Sequence, residues 1–363
     1  MIKTIKIMSF LAFASLLSAC SDNKQTTNPA SEQQHFEWNL VTSWPKNFPG
    51  LGRTPEIFAN YVKEMSNGRL IIKVYGAGEL VPGFEVFDAV QSGSAQMGHS
   101  AAYYWKGKMA ASSFFTAVPF GMNAQETNAW LHYGGGLELW QQLYKPFGIM
   151  PLAGGNTGMQ FAGWFNKEVN SLADLQGLKM RIGGIGGEVF QQAGGLPVNM
   201  PGGEIFSSLQ SGALDGAEWV GPYNDLAFGF HQAAKYYYAS GWHEPSATLE
   251  FLINQQAFDQ LPADLQAIVK IAARAAHTDT LDVYAAKNSE DYKRMLEKYD
   301  VQVKNFPPEV MSEFKQITKE VINQMIIDDN SNTVAKIWQS YQGFYDTIRS
   351  YHEISEQAYL ENR

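Results

Sequence analysis

The sequence predicts an α/β protein built as two lobes, and three observations lead there. The chain has 363 residues, more than the roughly 250 to 300 at which a single core stops growing, so two bodies of about 150 residues each are expected. Its folded part opens on a strand-helix-strand order, the unit of α/β architectures. Finally, Pro82-Gly-Phe-Glu-Val-Phe-Asp-Ala-Val-Gln-Ser-Gly93 aligns without gaps on Pro201-Gly-Gly-Glu-Ile-Phe-Ser-Ser-Leu-Gln-Ser-Gly212, 119 residues further on, with seven identities in twelve positions. One supersecondary unit is used twice, once per lobe.

Taken in order, Trp38–Trp44 reads as a strand, Pro55–Ser66 as an amphipathic helix stopped at Asn67-Gly68, and Leu70–Tyr75 as a strand with alternating burial. Each copy of the repeat reads as a turn, a glycine-capped helix and a short strand, Ala95–Gly98 in the first and Leu214–Ala217 in the second. Between the copies, Leu178–Ile182 is a strand, Gly183–Gly187 a glycine-rich turn, a helix starts near Glu188, and Leu196–Asn199 is a strand. Asn156–Phe165 reads as a strand crossing between the lobes. Downstream come a strand at Thr248–Ile253, helices from Pro262 to about Lys298, a strand at Val301–Asn305 and a helix over Pro308–Ile327. From Thr333 to Tyr359 an apolar stripe through Val334, Ile337, Trp338, Tyr341, Phe344, Tyr345, Ile348, Tyr351 and Ile354 predicts one helix of 27 residues, roughly 40 Å long. It braces the lobes or packs on a second subunit.

At 45% hydrophobic and 17% charged residues the chain can bury a large core. A net charge of −9 argues against general affinity for nucleic-acid phosphates or anionic lipid. The N-terminus has the layout of a secretory signal, with Lys3 and Lys6 before an apolar run from Ile7 to Leu17. That run is too short to span a bilayer. Leu17-Ser18-Ala19-Cys20 also resembles a bacterial lipoprotein signal, in which Cys20, the only cysteine, becomes the lipidated N-terminus. Cleavage there leaves 25 basic and 36 acidic residues and no possible internal disulfide. Ser21–Gln34 lacks large apolar side chains and reads as a flexible tether.

Several chemistries lack support. The seven histidines show no zinc-ligand spacing. No Gly-x-Ser-x-Gly elbow or phosphate-binding glycine fingerprint is in register. What remains is a set of strand-end residues. Ligands of open α/β sheets sit beyond the carboxyl ends of the strands, which places His99-Ser100 and Glu218-Trp219 at equivalent positions facing a cleft. Arg181, at the edge of the glycine run, can grip a carboxylate bidentately. Gln160, Glu218 and backbone carbonyls are hard oxygen ligands suited to Na⁺ or Ca²⁺ rather than zinc. Each has an ordinary alternative: Arg181 in a surface ion pair, Glu218 solvated, Trp219 in the core, Gln160 structural.

The chain resembles the substrate-binding proteins of tripartite ATP-independent periplasmic (TRAP) transporters, in the branch binding 2-oxo acids. The resemblance rests on Gly98-His-Ser-Ala-Ala-Tyr-Tyr-Trp105, Ala117-Val-Pro-Phe-Gly-Met122, Asp174-Leu-Gln-Gly-Leu-Lys-Met-Arg-Ile182, Leu214-Asp-Gly-Ala-Glu-Trp-Val-Gly-Pro222 and Gly241-Trp-His-Glu-Pro245, in the family's order. It implies a two-lobed periplasmic-binding-protein-like fold with a hinge and a long C-terminal helix, delivering a small carboxylate to an ion-driven permease. It implies that Arg181 holds the ligand carboxylate, and that a cation (Na⁺ or Ca²⁺) is bridged by Gln160, Glu218, the Trp219 backbone oxygen and Glu244. It also implies ligand contacts from Tyr103 and Tyr104, whose ordinary alternative is core packing. The expected organisation is a signal peptide over 1–19, a tether over 20–35, a first lobe of 36–158 with 250–290, a second of 159–249 with 291–330, and a C-terminal helix in 331–363. The expectation is therefore a periplasmic lipoprotein receptor without catalysis, organic cofactor or nucleic-acid partner, and a homodimer through the C-terminal helix. A sugar or polyol receptor, and an acid/base enzyme using Glu218 and Glu244, are the alternatives.

Overall fold

The computed structural model describes residues 34–363; the expected signal peptide, Cys20 and most of the tether lie outside them. The elements are β1 (Phe36–Thr42), α1 (Thr54–Met65), β2 (Leu70–Tyr75), α2 (Val86–Gln91), β3 (Met97–Ser100), α3 (Ser113–Thr116), α4 (Ala124–Tyr133), α5 (Gly136–Tyr144) and β4 (Ile149–Asn156). The chain continues through β5 (Gly163–Phe165), β6 (Lys179–Arg181), α6 (Gly184–Gln192), β7 (Leu196–Val198), α7 (Ile205–Gln210), β8 (Gly216–Ala217), α8 (Pro222–Phe228) and β9 (Tyr236–Tyr238). Last come β10 (Thr248–Asn254), α9 (Gln255–Asp259), α10 (Ala263–Lys298), β11 (Gln302–Lys304), α11 (Pro308–Asp328), α12 (Thr333–His352) and α13 (Glu356–Glu361).

The strands form two sheets. The first has the order β2-β1-β3-β10-β4, with β1 parallel to β2 and β3, and β10 antiparallel to β3 and β4. The second has the order β11-β9-β5-β8-β6-β7. The two repeat copies adopt the same conformation. Pro82 and Pro201 are extended, each leads into a 3₁₀ turn and then α2 or α7, and Gly93 and Gly212 close the helices with φ of +77° and +75°, a conformation glycine adopts without steric cost. The strands that follow, β3 and β8, enter different sheets.

Helix α10 is one unbroken helix of 36 residues rather than several. It packs on α1 and β4 beside the first sheet and on α8 beside the second. Two polar contacts fix its register: the His277 Nδ1 accepts from Gly155 N at 3.0 Å, and the Tyr284 hydroxyl donates to Asn224 Oδ1 at 2.7 Å.

Three local expectations are corrected. Helix α6 starts at Gly184, inside the glycine run and not near Glu188. The glycines serve close packing there, since a Cβ on Gly186 would lie 2.8 Å from the His243 Cβ. Residues 157–162 are an irregular connection from β4 to β5 instead of strand. The C-terminal helix runs 20 residues, not 27, and breaks before α13. At the break the Ser355 hydroxyl donates to the Tyr351 carbonyl at 2.8 Å, a side-chain bond that competes with the helical ladder, and Ile354 has no core to enter, being 78% exposed. Among the described residues no helix is long and apolar enough to cross a membrane.

The first sheet carries one buried ionisable group with a measurable consequence. Glu250 on β10 is fully buried, accepts from Trp105 Nε1 at 2.5 Å, and has its second oxygen unpartnered. Burial pushes its carboxyl up to about 8, against partial opposition from the Trp105 and Tyr144 contacts. Because an unfolded glutamate ionises near 4.5, the unfolded chain binds fewer protons than the folded one between about 4.5 and 8. Stability from this site therefore falls as pH rises through that window. Glu250→Gln keeps an oxygen for Trp105, so chemical denaturation should show the variant gaining on wild type from pH 5 to pH 9. A difference that stays flat over that range would overturn the neutral-carboxyl assignment.

Candidate functional site

Two crossing segments build the site. Residues 157–162 lead from β4 to β5, and residues 239–247 lead from β9 to β10. They are hydrogen-bonded to one another through Thr157 N to Ala247 O at 3.1 Å, Gln160 N to Glu244 O at 3.3 Å and Gly241 N to Gln160 O at 3.0 Å. This pairing sets the Gln160 side chain against Glu244, and Gln160 Nε2 donates to Glu244 Oε2 at 2.7 Å and to the Thr157 hydroxyl at 3.2 Å.

From the second sheet, β6 ends on Arg181 and β8 leads into Glu218-Trp219. The strands are neighbours, so Arg181 and Glu218 side chains emerge together. Both are fully buried. The guanidinium Nη1 is ion-paired with Glu218 Oε1 and also reaches the Glu218 carbonyl at 3.3 Å. Nε donates to Met200 O and Nη2 to the Tyr104 hydroxyl, each at 3.3 Å. The Trp219 ring lies 5.0 Å from the guanidinium carbon, in cation–π contact. Gly183 N donates to Glu218 Oε1 at 3.1 Å, which ties the start of α6 to the same carboxylate.

The electrostatics follow from this crowding. Burial opposes charge on Arg181, but Glu218 and then the Tyr104 hydroxyl more than reverse that and hold its pKa up. Burial likewise pushes Glu218 up, and the Arg181 charge followed by His243 pulls it below its ordinary value. Glu244 goes the other way. Burial first and Glu218 second push it well above the usual carboxylate range, only partly opposed by Arg181 and Gln160. Burial also raises the hydroxyls of Tyr103 and Tyr104.

Each expected site residue has a definite place. Gln160, Trp219, Tyr103 and Tyr104 line one small cavity with Trp44, Leu51 and Thr157. Arg181 touches Tyr104 and Trp219 at its wall. Tyr103 packs against Tyr104 with ring centroids 4.8 Å apart and lies over Gly183 and Gly184. His99 and Ser100 do not reach across to the second sheet. His99 accepts from Trp44 Nε1 at 2.8 Å and its other nitrogen meets Gly154 O at 2.8 Å, while the Ser100 hydroxyl bonds that of Ser43 at 2.7 Å. His99 holds Trp44, and it is Trp44 that meets Trp219, with centroids 6.0 Å apart.

Two residues were missed by sequence reasoning. His243, inside the Gly241–Pro245 motif, places Nε2 3.6 Å from Glu218 Oε2. Asp225 on α8 accepts from Val220 N and Gly221 N at 3.3 and 3.2 Å, and from Trp164 Nε1 and Tyr237 OH at 3.0 and 2.8 Å. It anchors the turn that follows Trp219. The motif in the first case, and an acid three residues into a proline-started helix in the second, were the only sequence signals available.

The donor set suits a cation. Among the described residues, Glu218, His243 and Glu244 form the one group of three ionisable ligands, with candidate atoms all within 4.8 Å of each other. Gln160 Oε1, Glu218 Oε2 and both His243 nitrogens are buried without a hydrogen-bond partner. Orphaned buried acceptors are costly unless something satisfies them. A metal ion between Gln160, Glu218 and Glu244 would satisfy the Gln160 and Glu218 oxygens, with ligands of the kind Na⁺ and Ca²⁺ take.

Comparison with known proteins accords with this geometry. Residues 40–329 match bacterial extracellular solute-binding protein, family 7. A monocarboxylate 2-oxoacid-binding periplasmic protein of Nostoc sp. is 39% identical over 360 residues, 98% of each chain. A TRAP periplasmic solute binding protein of Pseudoalteromonas atlantica, solved with bound sodium and pyruvate, has 42% identity and a TM-score of 0.88 over 91% of this chain and 100% of its own. A second, from Colwellia psychrerythraea with bound calcium and pyruvate, has 43% identity and a TM-score of 0.89 over the same shares. The chain therefore belongs to the bacterial extracellular solute-binding proteins of family 7 and is a TRAP-type solute-binding protein.

Proposed function

We propose that this receptor captures a small 2-oxo acid of the size of pyruvate together with a bridging cation, and presents it to TRAP membrane subunits. The observation that carries this reading is the fully buried Arg181 beside orphaned acceptors on Gln160 and Glu218. A 2-oxo acid can meet the guanidinium through one carboxylate oxygen while its other carboxylate oxygen and its keto oxygen chelate the cation. A sugar offers the guanidinium no charge, and an unsubstituted acid offers no keto oxygen. In this reading the ligand enters between the first-sheet and second-sheet sides of the site, and their closure on it would bury both charges. Because Glu218 is ion-paired with Arg181, it is a holding group rather than a free base, and no turnover of the ligand is expected.

Calorimetric titration with pyruvate tests the site. Arg181→Ala should weaken binding by about 2 to 5 kcal/mol, roughly 30-fold to several thousand-fold, because a buried charge-assisted pair loses one partner. Arg181→Lys should lose much of the same, since an ammonium cannot make the bidentate contact. Glu218→Gln should be partly rescued by excess calcium through mass action. Binding by Arg181→Ala within threefold of wild type would remove the anion assignment. Affinity unchanged in chelator and sodium-free buffer would remove the cation.

Lipidation at Cys20 is part of the same proposal, supported by Leu17-Ser18-Ala19-Cys20 and the polar stretch behind it. The intact mass of membrane-extracted protein should correspond to a chain starting at a lipid-modified Cys20; any other N-terminus overturns this.

Dimerisation through the C-terminal region is proposed from its unpartnered apolar side chains: Tyr351, Ile354, Tyr359 and Leu360 on α12, α13 and the turn between them are 53–78% exposed. Sedimentation at micromolar concentration should give a dimer that truncation after residue 350 converts to monomer. A wild-type monomer would refute it.

A further inference from the structure

The short segment after β3 meets the second sheet at three successive contacts. The Tyr103 ring covers Gly183 and Gly184, the Tyr104 hydroxyl accepts from Arg181 Nη2, and Lys106 Nζ donates to Glu188 Oε1 at 2.8 Å and to Gly184 O at 3.4 Å. The first two surround the ligand-facing groups. The third lies outside them: Lys106 and Glu188 border a separate cavity of about 180 Å³ at the outer edge of the tyrosines, lined also by Ile182, Pro197 and Asn199. Among the described residues, Lys106–Glu188 is the only lysine or arginine ion pair that joins a residue before β4 to one between β5 and β9. Every other such pair stays on one sheet's side or within one helix.

We infer that Lys106 and Glu188 are the latch of the cleft, an exterior pair that sets how long the closed, loaded state lasts without touching the ligand. The inference rests on the 2-oxo-acid reading for its ligand but not for its geometry. Two features make the pair suited to this role. Its side chains are 42% and 38% exposed, so little desolvation opposes the pair's formation. Its lysine also holds Gly184 O, next to Gly183, whose N–H binds Glu218. Gly184 has φ +60° and a Cβ there would meet the Tyr103 ring at 3.3 Å. The backbone that the latch grips is therefore glycine for both conformational and steric reasons, and closing the latch seats that backbone against the tyrosines.

The test uses the full chain with pyruvate, at constant sodium and with ionic strength varied by potassium chloride. Lys106→Met and Glu188→Gln should each speed stopped-flow dissociation roughly two- to five-fold, the range of a partly exposed ion pair. Lys106→Met with Glu188→Gln should do no more than Lys106→Met alone. Lys106→Glu combined with Glu188→Lys should slow dissociation again relative to each single reversal. High potassium chloride should speed the wild type but not the neutral variants. Dissociation at the wild-type rate, additive singles, or a loss confined to melting temperature would each overturn the latch. If wild type does not bind pyruvate, the 2-oxo-acid reading fails by itself. Small-angle scattering without ligand still decides the latch, because the neutral variants should then be more extended than wild type at low salt, and identical profiles refute it.

Discussion

A fully buried guanidinium is the constraint around which the rest of this molecule is arranged. Removing Arg181 from water without a compensating anion would be prohibitive, and Glu218, Met200 O and the Tyr104 hydroxyl share the compensation. Glu218 is then itself a buried carboxylate, and its second oxygen faces His243 and lies near Glu244. The cluster sets two carboxyl groups beside one guanidinium, and burial first and Glu218 second push Glu244 well above the usual carboxylate range. The anion site proposed at Arg181 thereby adjoins the cation place proposed at Gln160, Glu218 and Glu244, through the one carboxylate of Glu218 that also supports the guanidinium. One charged ligand group entering on the arginine side and one cation on the glutamate side would relieve both imbalances together.

The backbone is shaped to permit that cluster. The crossing segments 157–162 and 239–247 have given up sheet pairing to hydrogen-bond each other, which is how a glutamine and a glutamate 84 residues apart meet side by side. Asp225 immobilises the turn beyond Trp219 with four donors on one carboxylate. Those donors favour the ionised form, against burial that lifts its pKa to about 7. The glycine run after Arg181 brings α6 into contact with His243 on one side and Tyr103 on the other. The groups proposed to face the ligand are therefore carried on backbone whose own hydrogen bonds are made locally, so the charged side chains can be few and fully committed.

Much of this was legible in the residues. Periodicity placed β1, α1 and β2 within two residues of their observed ends, because each is a local pattern of burial against a sheet face. The repeat at Pro82 and Pro201 marked two equivalent units, and both copies fold alike, because proline, glycine and the apolar helix face act over a dozen residues. Arg181 and Glu218 were recognisable as strand-end residues. Their partnership was not, since they lie 37 residues apart and meet through the parallel pairing of β6 with β8, which no local signal encodes. His99 looked like a cleft residue by position in the repeat, yet its two ring nitrogens are both committed inside the first sheet's surroundings.

The sequence by itself determined what is governed by short-range physics: where strands and helices form, which turns need glycine, and which side chains have the charge and shape to hold a carboxylate or a hard cation. Tertiary structure decided everything that depends on chains meeting at a distance. It ended α12 at His352 where the core stops, kept Gln160 out of a strand so that it could face Glu244, added His243 and Asp225 to the site, and turned Arg181 toward Glu218. Those choices follow from desolvation, which charges a buried group according to its neighbours in space, and neighbours in space are what a linear pattern does not contain.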